Sequence, residues 1–92
     1  MTFCFAPDVV LQVIDDEALI LKLQKEVVLA LNETGARIAH LIAEGQSIDV
    51  VCETLAREYD RCITEIRPEV ERLIAALQSK GVLVRREIRR NE

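Results

Sequence analysis

The periodicity of the sequence changes at residues 31–42, which read LNETGARIAHLI. Apolar residues recur at the spacing of a strand before this stretch and at the spacing of a helix after it. Asn32 is a strong N-cap candidate, because its side-chain oxygen can accept a hydrogen bond from a backbone N–H of the first helical turn. Leu31, just before it, can pack back onto the same turn. The stretch therefore predicts a direct joint between a strand and a helix.

The composition predicts one small domain with an aliphatic core. Half of the 92 residues are apolar, whereas only 3% are aromatic and tryptophan is absent. No apolar run reaches the roughly 20 residues of a membrane span, and the N-terminus lacks the basic region of a secretory signal. We expect a single cytoplasmic domain over residues 1–92 with no membrane partner, an ordered core at about 5–84 and a basic tail at 85–92.

The cysteines and the single histidine do not suggest a metal site or a cofactor. Cys4, Cys52 and Cys62 are widely spaced and odd in number, no C-x-x-C motif occurs, and His40 is the only histidine. A structural zinc site needs four well-placed ligands. The carboxylates of residues 15–17 fall in a predicted turn, and no phosphate-binding glycine motif is present. We expect free thiols, no metal and no cofactor.

The charge is divided unevenly along the chain, although the net charge is only −4. Residues 1–60 carry eleven acidic and four basic side chains, whereas residues 61–92 carry five acidic and eight basic ones. An acidic body argues against a primary binder of duplex DNA, because such proteins gain affinity largely by neutralising phosphates.

Three strands are predicted before the joint, after a lead-in at residues 1–8. They are Val9–Ile14, Ala18–Leu23 and Val27–Leu31. Asp15 and Asp16 read as a tight turn, and residues 24–26 form the second connection. One long helix from Glu17 to Ala30 is the alternative, since several of its residues favour helix, but β-branched residues and the alternation of apolar residues favour strands.

Three helices are predicted after the joint. They run over about Glu33–Glu44, over about Ile48–Glu58 with Ser47 as its N-cap, and from near Thr64 to before Gly81. Residues 82–84 form a short extended end. The order predicts an α+β fold, a small winged-helix-like domain in which a three-stranded antiparallel sheet is followed by three helices.

Catalysis is not expected, because His40 has no nucleophile or orienting group beside it in the pattern. A winged-helix DNA-binding regulator is one alternative, with the third helix in the groove of the duplex. The carboxylates of Glu65, Glu69 and Glu71 on that helix would be repelled by phosphates.

Peptide binding is the other alternative, because the third strand is apolar, uncharged and free of proline, so an extended peptide could add to its edge. A homodimer or the helices could instead cover this edge.

Several segments of the chain resemble the PqqD-like family of peptide chaperones from pyrroloquinoline quinone biosynthesis. The fold of this family also serves as the leader-recognition domain of many systems that modify ribosomal peptides. The resemblance covers about residues 5–84. The segments that carry it are 6–10, 15–19, 31–38, 58–60 and 77–83, which read APDVV, DDEAL, LNETGARI, EYD and LQSKGVL.

The resemblance implies a non-catalytic protein that holds the leader of a precursor peptide against its third strand and third helix. It further implies presentation of that peptide to a modifying enzyme, often a radical S-adenosylmethionine enzyme. Carried over to this chain, the peptide-binding residues would be Val27, Val28, Leu29, Ala30 and Leu31 on the strand, and Arg67, Val70, Glu71 and Ile74 on the helix. Arg67 or Arg72 would pair with acidic residues of the leader.

The chain departs from the family pattern at three places. It has Glu26 where members commonly have a glycine, Val28 and Leu29 where they often have aromatic residues, and Ala39 where they often have a tryptophan. These departures favour a PqqD-like relative over the quinone chaperone itself.

Overall fold

The joint at residues 31–42 separates a sheet from a set of helices in the computed structural model, which describes residues 2–23 and 26–86. The elements are β1 (Thr2–Phe5), β2 (Val9–Ile14), β3 (Glu17–Lys22), β4 (Val27–Leu31), α1 (Glu33–Ala43), α2 (Ile48–Glu58), α3 (Ile63–Ser79) and β5 (Leu83–Arg86). The predicted α+β class is confirmed, since the antiparallel sheet β2-β3-β4 is followed by three helices. The alternative of one long helix over residues 17–30 is wrong, because this segment contains β3 and most of β4.

β3 is the central strand of the three-stranded sheet, and one of its faces packs into the core. Leu11, Ile20 and Leu29 lie opposite one another on neighbouring strands, and Ile20 is fully buried. β3 begins and ends one residue earlier than predicted. Gln24 and Lys25, in the predicted second connection, lie outside the described residues.

The predicted joint between β4 and α1 is confirmed. The Gly35 backbone N–H donates to the Asn32 side-chain oxygen over 2.9 Å, and Leu31 beside it is buried. A Cβ atom at Gly35 would lie 3.3 Å from the Leu31 side chain, so a larger residue would crowd the joint. Ser47 caps α2 in the same way, accepting from the Val50 N–H over 3.2 Å.

The two ends of the described chain form a strand pair that the sequence did not predict. β1 and β5 are antiparallel, with Phe5 opposite Leu83 and Thr2 opposite Arg86. Phe3 and Leu83 are buried in the core. Residues 2–5 of the predicted lead-in and residues 85 and 86 of the predicted tail are therefore corrected to strands. Each segment is only four residues long, so neither shows a clear period alone. Residues 87–92 of the predicted tail lie outside the described residues.

The helices enclose an aliphatic core and are linked at the surface by ion pairs. α3 begins one residue before the predicted Thr64. The Arg37 guanidinium of α1 donates to both carboxylate oxygens of Glu58 in α2, over 3.0 and 2.7 Å. Arg67 of α3 donates to Asp49 of α2 over 2.7 Å. In the described ranges, none of the helices combines the length and the hydropathy that crossing a membrane requires.

Phe3→Ala should lower the free energy of unfolding by about 3 kcal/mol, because it leaves a cavity where an aromatic ring is buried. Val84→Ala on the partner strand is the control, since Val84 is exposed, and it should change stability by less than about 0.5 kcal/mol. Urea denaturation measures both. Equal, small losses would show that β1 contributes nothing to the core.

Glu58→Gln should lower stability by up to about 1 kcal/mol at neutral pH, because the ion pair with Arg37 is partly exposed. The hydrogen bonds from Arg37 hold the pKa of Glu58 below its ordinary value. A carboxylate whose folded-state pKa is lowered stabilises the fold above its unfolded pKa of about 4.3, and this stabilisation is lost as the pH falls through the folded-state pKa. The difference between wild type and Glu58→Gln should therefore vanish in acid.

Urea denaturation at a series of pH values measures this difference. Glu53→Gln on the same helix is the control, because Glu53 is exposed and forms no ion pair within the described residues. A difference for Glu58→Gln that persists below the folded-state pKa would contradict the ion pair as its cause.

Candidate functional site

The outer edge of β4 is the feature around which the candidate site is built. β4 pairs with β3 on one side, and no strand within residues 2–23 and 26–86 pairs with its other side. The five residues of β4 carry no charge. Because an edge strand presents backbone N–H and C=O groups at alternating positions, such an edge can accept a further strand.

A groove of about 460 Å³ runs between this edge and α3, and we call it the β4–α3 groove. Its strand and joint side consists of Leu29, Ala30, Leu31, Asn32, Thr34, Gly35 and Ile38. Its other side consists of Glu69, Arg72, Leu73 and Ala76 of α3, together with Arg61 in the connection just before the helix. Most of the lining is apolar, with charged groups grouped on the side of α3. An extended chain of alternating side chains fits this combination of open edge and apolar wall.

The charged groups of the groove differ in whether they are already paired. Arg61 lies against Glu69, with distances of 3.3 and 3.4 Å between their nitrogen and oxygen atoms. Arg72 also lines the groove, and none of the described carboxylates lies within 4.0 Å of its guanidinium. The lining therefore carries one paired cation and one cation without a partner in the described chain.

The strand half of the predicted site is partly brought together at the groove. Leu29, Ala30 and Leu31 line it, whereas Val27 and Val28 belong to the same strand but lie outside the lining. Val27 is 57% exposed, and Val28 is half-buried against the core.

The helix half of the predicted site lies on other faces of α3. Val70 and Ile74 are buried in the core. Arg67 faces α2, where it pairs with Asp49 over 2.7 Å and approaches Glu71 at 3.8 Å. None of these four α3 residues lines the groove, and a role for any of them in peptide binding stays a prediction. The cause is the helical period, because residues 66, 70, 74 and 77 share the core face of α3.

The groove lining also includes four residues that were not among the predicted site residues, namely Arg61, Glu69, Leu73 and Ala76. A signal was present, since residues 69, 72, 73 and 76 follow the i, i+3, i+4, i+7 spacing of a single helix face. The sequence alone does not separate this series from the core, because Leu73 also follows the helical spacing of the core residues 66, 70 and 77, whereas it is only half-buried in the structure.

A second, smaller depression lies where the β2–β3 turn meets α1 and the end of α2. Its lining is Val13, Asp15, Asp16, Glu33, Ala36, Arg37, His40 and Tyr59. His40 contacts Glu44 of its own helix at 3.1 Å. In the described ranges, no three histidine, cysteine or acidic side chains are close enough together to hold a metal ion.

All three cysteines are free, and burial raises the pKa of the Cys52 thiol.

Comparison with known proteins identifies the family of this fold and groove. A family model described as Coenzyme PQQ synthesis protein D (PqqD) matches residues 17–83. The chain belongs to the PqqD family. The matched part of this PqqD-family chain runs from β3 to β5 and includes both walls of the groove. No curated protein matches the chain.

Two solved structures are similar to the PqqD-family chain over almost its whole length. TbiB1, in complex with the TbiA(beta) leader peptide, is 27% identical, with a TM-score of 0.79 over 90% of this chain and 94% of that one. Lasso peptide synthetase B1, complexed with the leader peptide, is 23% identical, with a TM-score of 0.81 over 92% of this chain and 100% of that one. The second likeness shows the fold alone. The DNA-binding alternative gains no support from these comparisons.

Ile74→Ala should lower the free energy of unfolding by about 3 kcal/mol, because Ile74 is buried in the core. Leu73→Ala removes the same number of carbon atoms from a half-buried side chain in the groove wall. It should lower the free energy of unfolding by only about 1 kcal/mol. Urea denaturation of both variants separates the core face of α3 from its groove face. Equal losses would contradict the assignment of Leu73 to the groove.

Proposed function

We propose that this PqqD-family protein binds the leader segment of a ribosomal precursor peptide in the β4–α3 groove and presents the peptide to a modifying enzyme. The observation that carries this proposal is the open edge of β4, which faces an apolar wall of α3 across the groove. The protein acts as a scaffold in this scheme and performs no chemistry itself.

Strand addition supplies the binding energy in two ways. The peptide backbone forms hydrogen bonds with the free edge of β4, and every second peptide side chain points toward the groove. β4 is five residues long, which corresponds to about 17 Å of extended chain. Two or three peptide side chains can therefore reach the apolar surface formed by Leu29, Leu73 and Ala76. A micromolar complex requires about −8 kcal/mol, which such a segment can provide.

The comparisons support the class of ligand. TbiB1 is more than a quarter identical to this chain, extends over the same fold and was solved with a leader peptide. The described residues that line the groove include no histidine and no cysteine, which agrees with a binding role. A scaffold of this kind promotes modification by raising the local concentration of the precursor at its enzyme. A radical S-adenosylmethionine enzyme is the partner that the PqqD family suggests.

Leu29→Glu and Leu73→Glu should each weaken leader binding by about tenfold or more, because each places a charge on one apolar wall of the groove. Val10→Glu is the control, since Val10 is exposed on β2 at the opposite edge of the sheet, and it should leave affinity unchanged. Fluorescence anisotropy with labelled precursor peptides encoded near the gene measures the affinities, and circular dichroism verifies that each variant is folded.

Backbone amide NMR of the full chain locates the bound peptide. The proposal expects shifts at β4 and at the groove face of α3 on addition of peptide, and none there on addition of a DNA duplex. Shifts at β2 instead, or groove variants that bind as the wild type does, would refute this site. A dimer in sedimentation whose interface protects the β4 amides would also refute it, because the edge would then be closed by a second copy.

A further inference from the structure

We infer that Arg72 makes the groove selective for leader peptides that carry an aspartate or glutamate where their added strand passes the middle of α3. This inference rests on the proposed function, because it assigns a chemical preference to the same groove. Arg72 would act as a specificity-determining residue, whereas the apolar walls and the β4 edge supply affinity for any extended chain.

The charge of the groove contrasts with that of the rest of the protein. The whole chain has a net charge of −4. The groove lining instead contains two arginines and one glutamate, so its charge is positive. The protein is acidic overall, but its apolar groove is positively charged. The groove is therefore complementary to an apolar peptide that carries an acidic residue.

Within residues 2–23 and 26–86, the geometry of its neighbours leaves Arg72 without a carboxylate partner. Glu69 lies three residues earlier on α3, at a spacing that allows ion pairs along a helix. Its carboxylate is instead held by both terminal nitrogens of Arg61, at 3.3 and 3.4 Å. Arg61 thus acts as a positioning residue that keeps Glu69 away from Arg72, whose guanidinium is not paired with any carboxylate of the described chain.

An ion pair between Arg72 and a peptide carboxylate is directional and acts over a short range. A guanidinium binds a carboxylate through two parallel hydrogen bonds, which fixes direction as well as charge. The attraction acts over a few ångströms in a groove from which the peptide displaces water, and is therefore screened little. The negative charge of the protein body acts over a longer distance and is weakened by salt, because the screening length is about 10 Å at 0.1 M ionic strength. The ion pair between Arg72 and the peptide carboxylate, rather than the charge of the protein body, therefore decides which peptides are preferred at physiological salt.

A phage-displayed library of random peptides of about twelve residues, long enough to span β4 and both flanks, tests the inference without knowledge of the natural ligand. The full-length wild type, Arg72→Gln and Arg72→Glu are each used to select peptides. Arg57→Gln is the matched control, because Arg57 is an exposed arginine on α2 that lies outside the groove lining. Arg61→Gln is selected in parallel.

The wild type and Arg57→Gln should enrich peptides with an acidic residue at one fixed position between apolar ones. Arg72→Gln should lose this acidic preference and retain the apolar pattern, and Arg72→Glu should replace the acidic residue with lysine or arginine. Arg61→Gln should weaken the preference, because the released Glu69 can then pair with Arg72. For a synthetic pair of peptides that differ by glutamate and glutamine at this position, wild-type affinities should differ by about fivefold or more, and those of Arg72→Gln by less than about twofold.

The outcomes separate this inference from the proposed function. Apolar peptides that are enriched without an acidic position, or an acidic preference that survives in Arg72→Gln, would overturn the role of Arg72 and leave peptide binding intact. No enrichment by the wild type, together with an absence of NMR shifts at β4 when precursor peptides are added, would overturn both. Because Arg72 is exposed, its variants should fold, and circular dichroism verifies this.

Discussion

The hydrogen bond from the Gly35 backbone N–H to the Asn32 side chain is the contact on which the groove depends. It ends β4 and starts α1 with a single residue between them. Leu31 is buried at the same point, and the absence of a side chain at Gly35 lets the helix begin directly against it. Because the cap defines where the strand stops, it also defines how much of the β4 edge remains available and brings Ile38 into the wall of the groove.

The exposed edge of β4 is a structural risk that the groove limits. An uncharged apolar edge can pair with the edge of another sheet, which leads to aggregation. In this fold the edge faces α3 across a recess of about 460 Å³, so a single extended chain can enter more easily than a second folded sheet. The net negative charge of the protein further opposes self-association. The recess that restricts unwanted pairing is also the geometry on which the proposed peptide binding relies.

α3 serves the core and the groove at the same time, and the helical period keeps the two roles apart. Its core face packs Ile66, Val70, Ile74 and Leu77 into the domain, whereas the residues of its groove face start at Glu69 and follow the same spacing. Arg67 lies on a third face and ties α3 to α2 through Asp49. One helix therefore packs into the core and lines the recess with Arg72, while the paired Arg61 lies in the connection just before the helix. This division explains how one helix in a chain of 92 residues can line a groove and still complete the core.

The sequence by itself determined the α+β class, the course of three strands and three helices, and the joint at Asn32, because these follow from local periodicity and from capping chemistry between near neighbours. It also indicated β4 as an uncharged strand, and the resemblance to the PqqD family was visible in its segments. The pairing of β1 with β5 was decided only by the tertiary structure, since it joins residues more than seventy positions apart in the sequence. Neither four-residue strand is recognisable from its sequence alone. The face of α3 that meets β4 was likewise undetermined, because the rotation of a helix about its axis depends on which apolar side chains the rest of the core accepts. That rotation places Val70 and Ile74 inside and Arg72 in the groove.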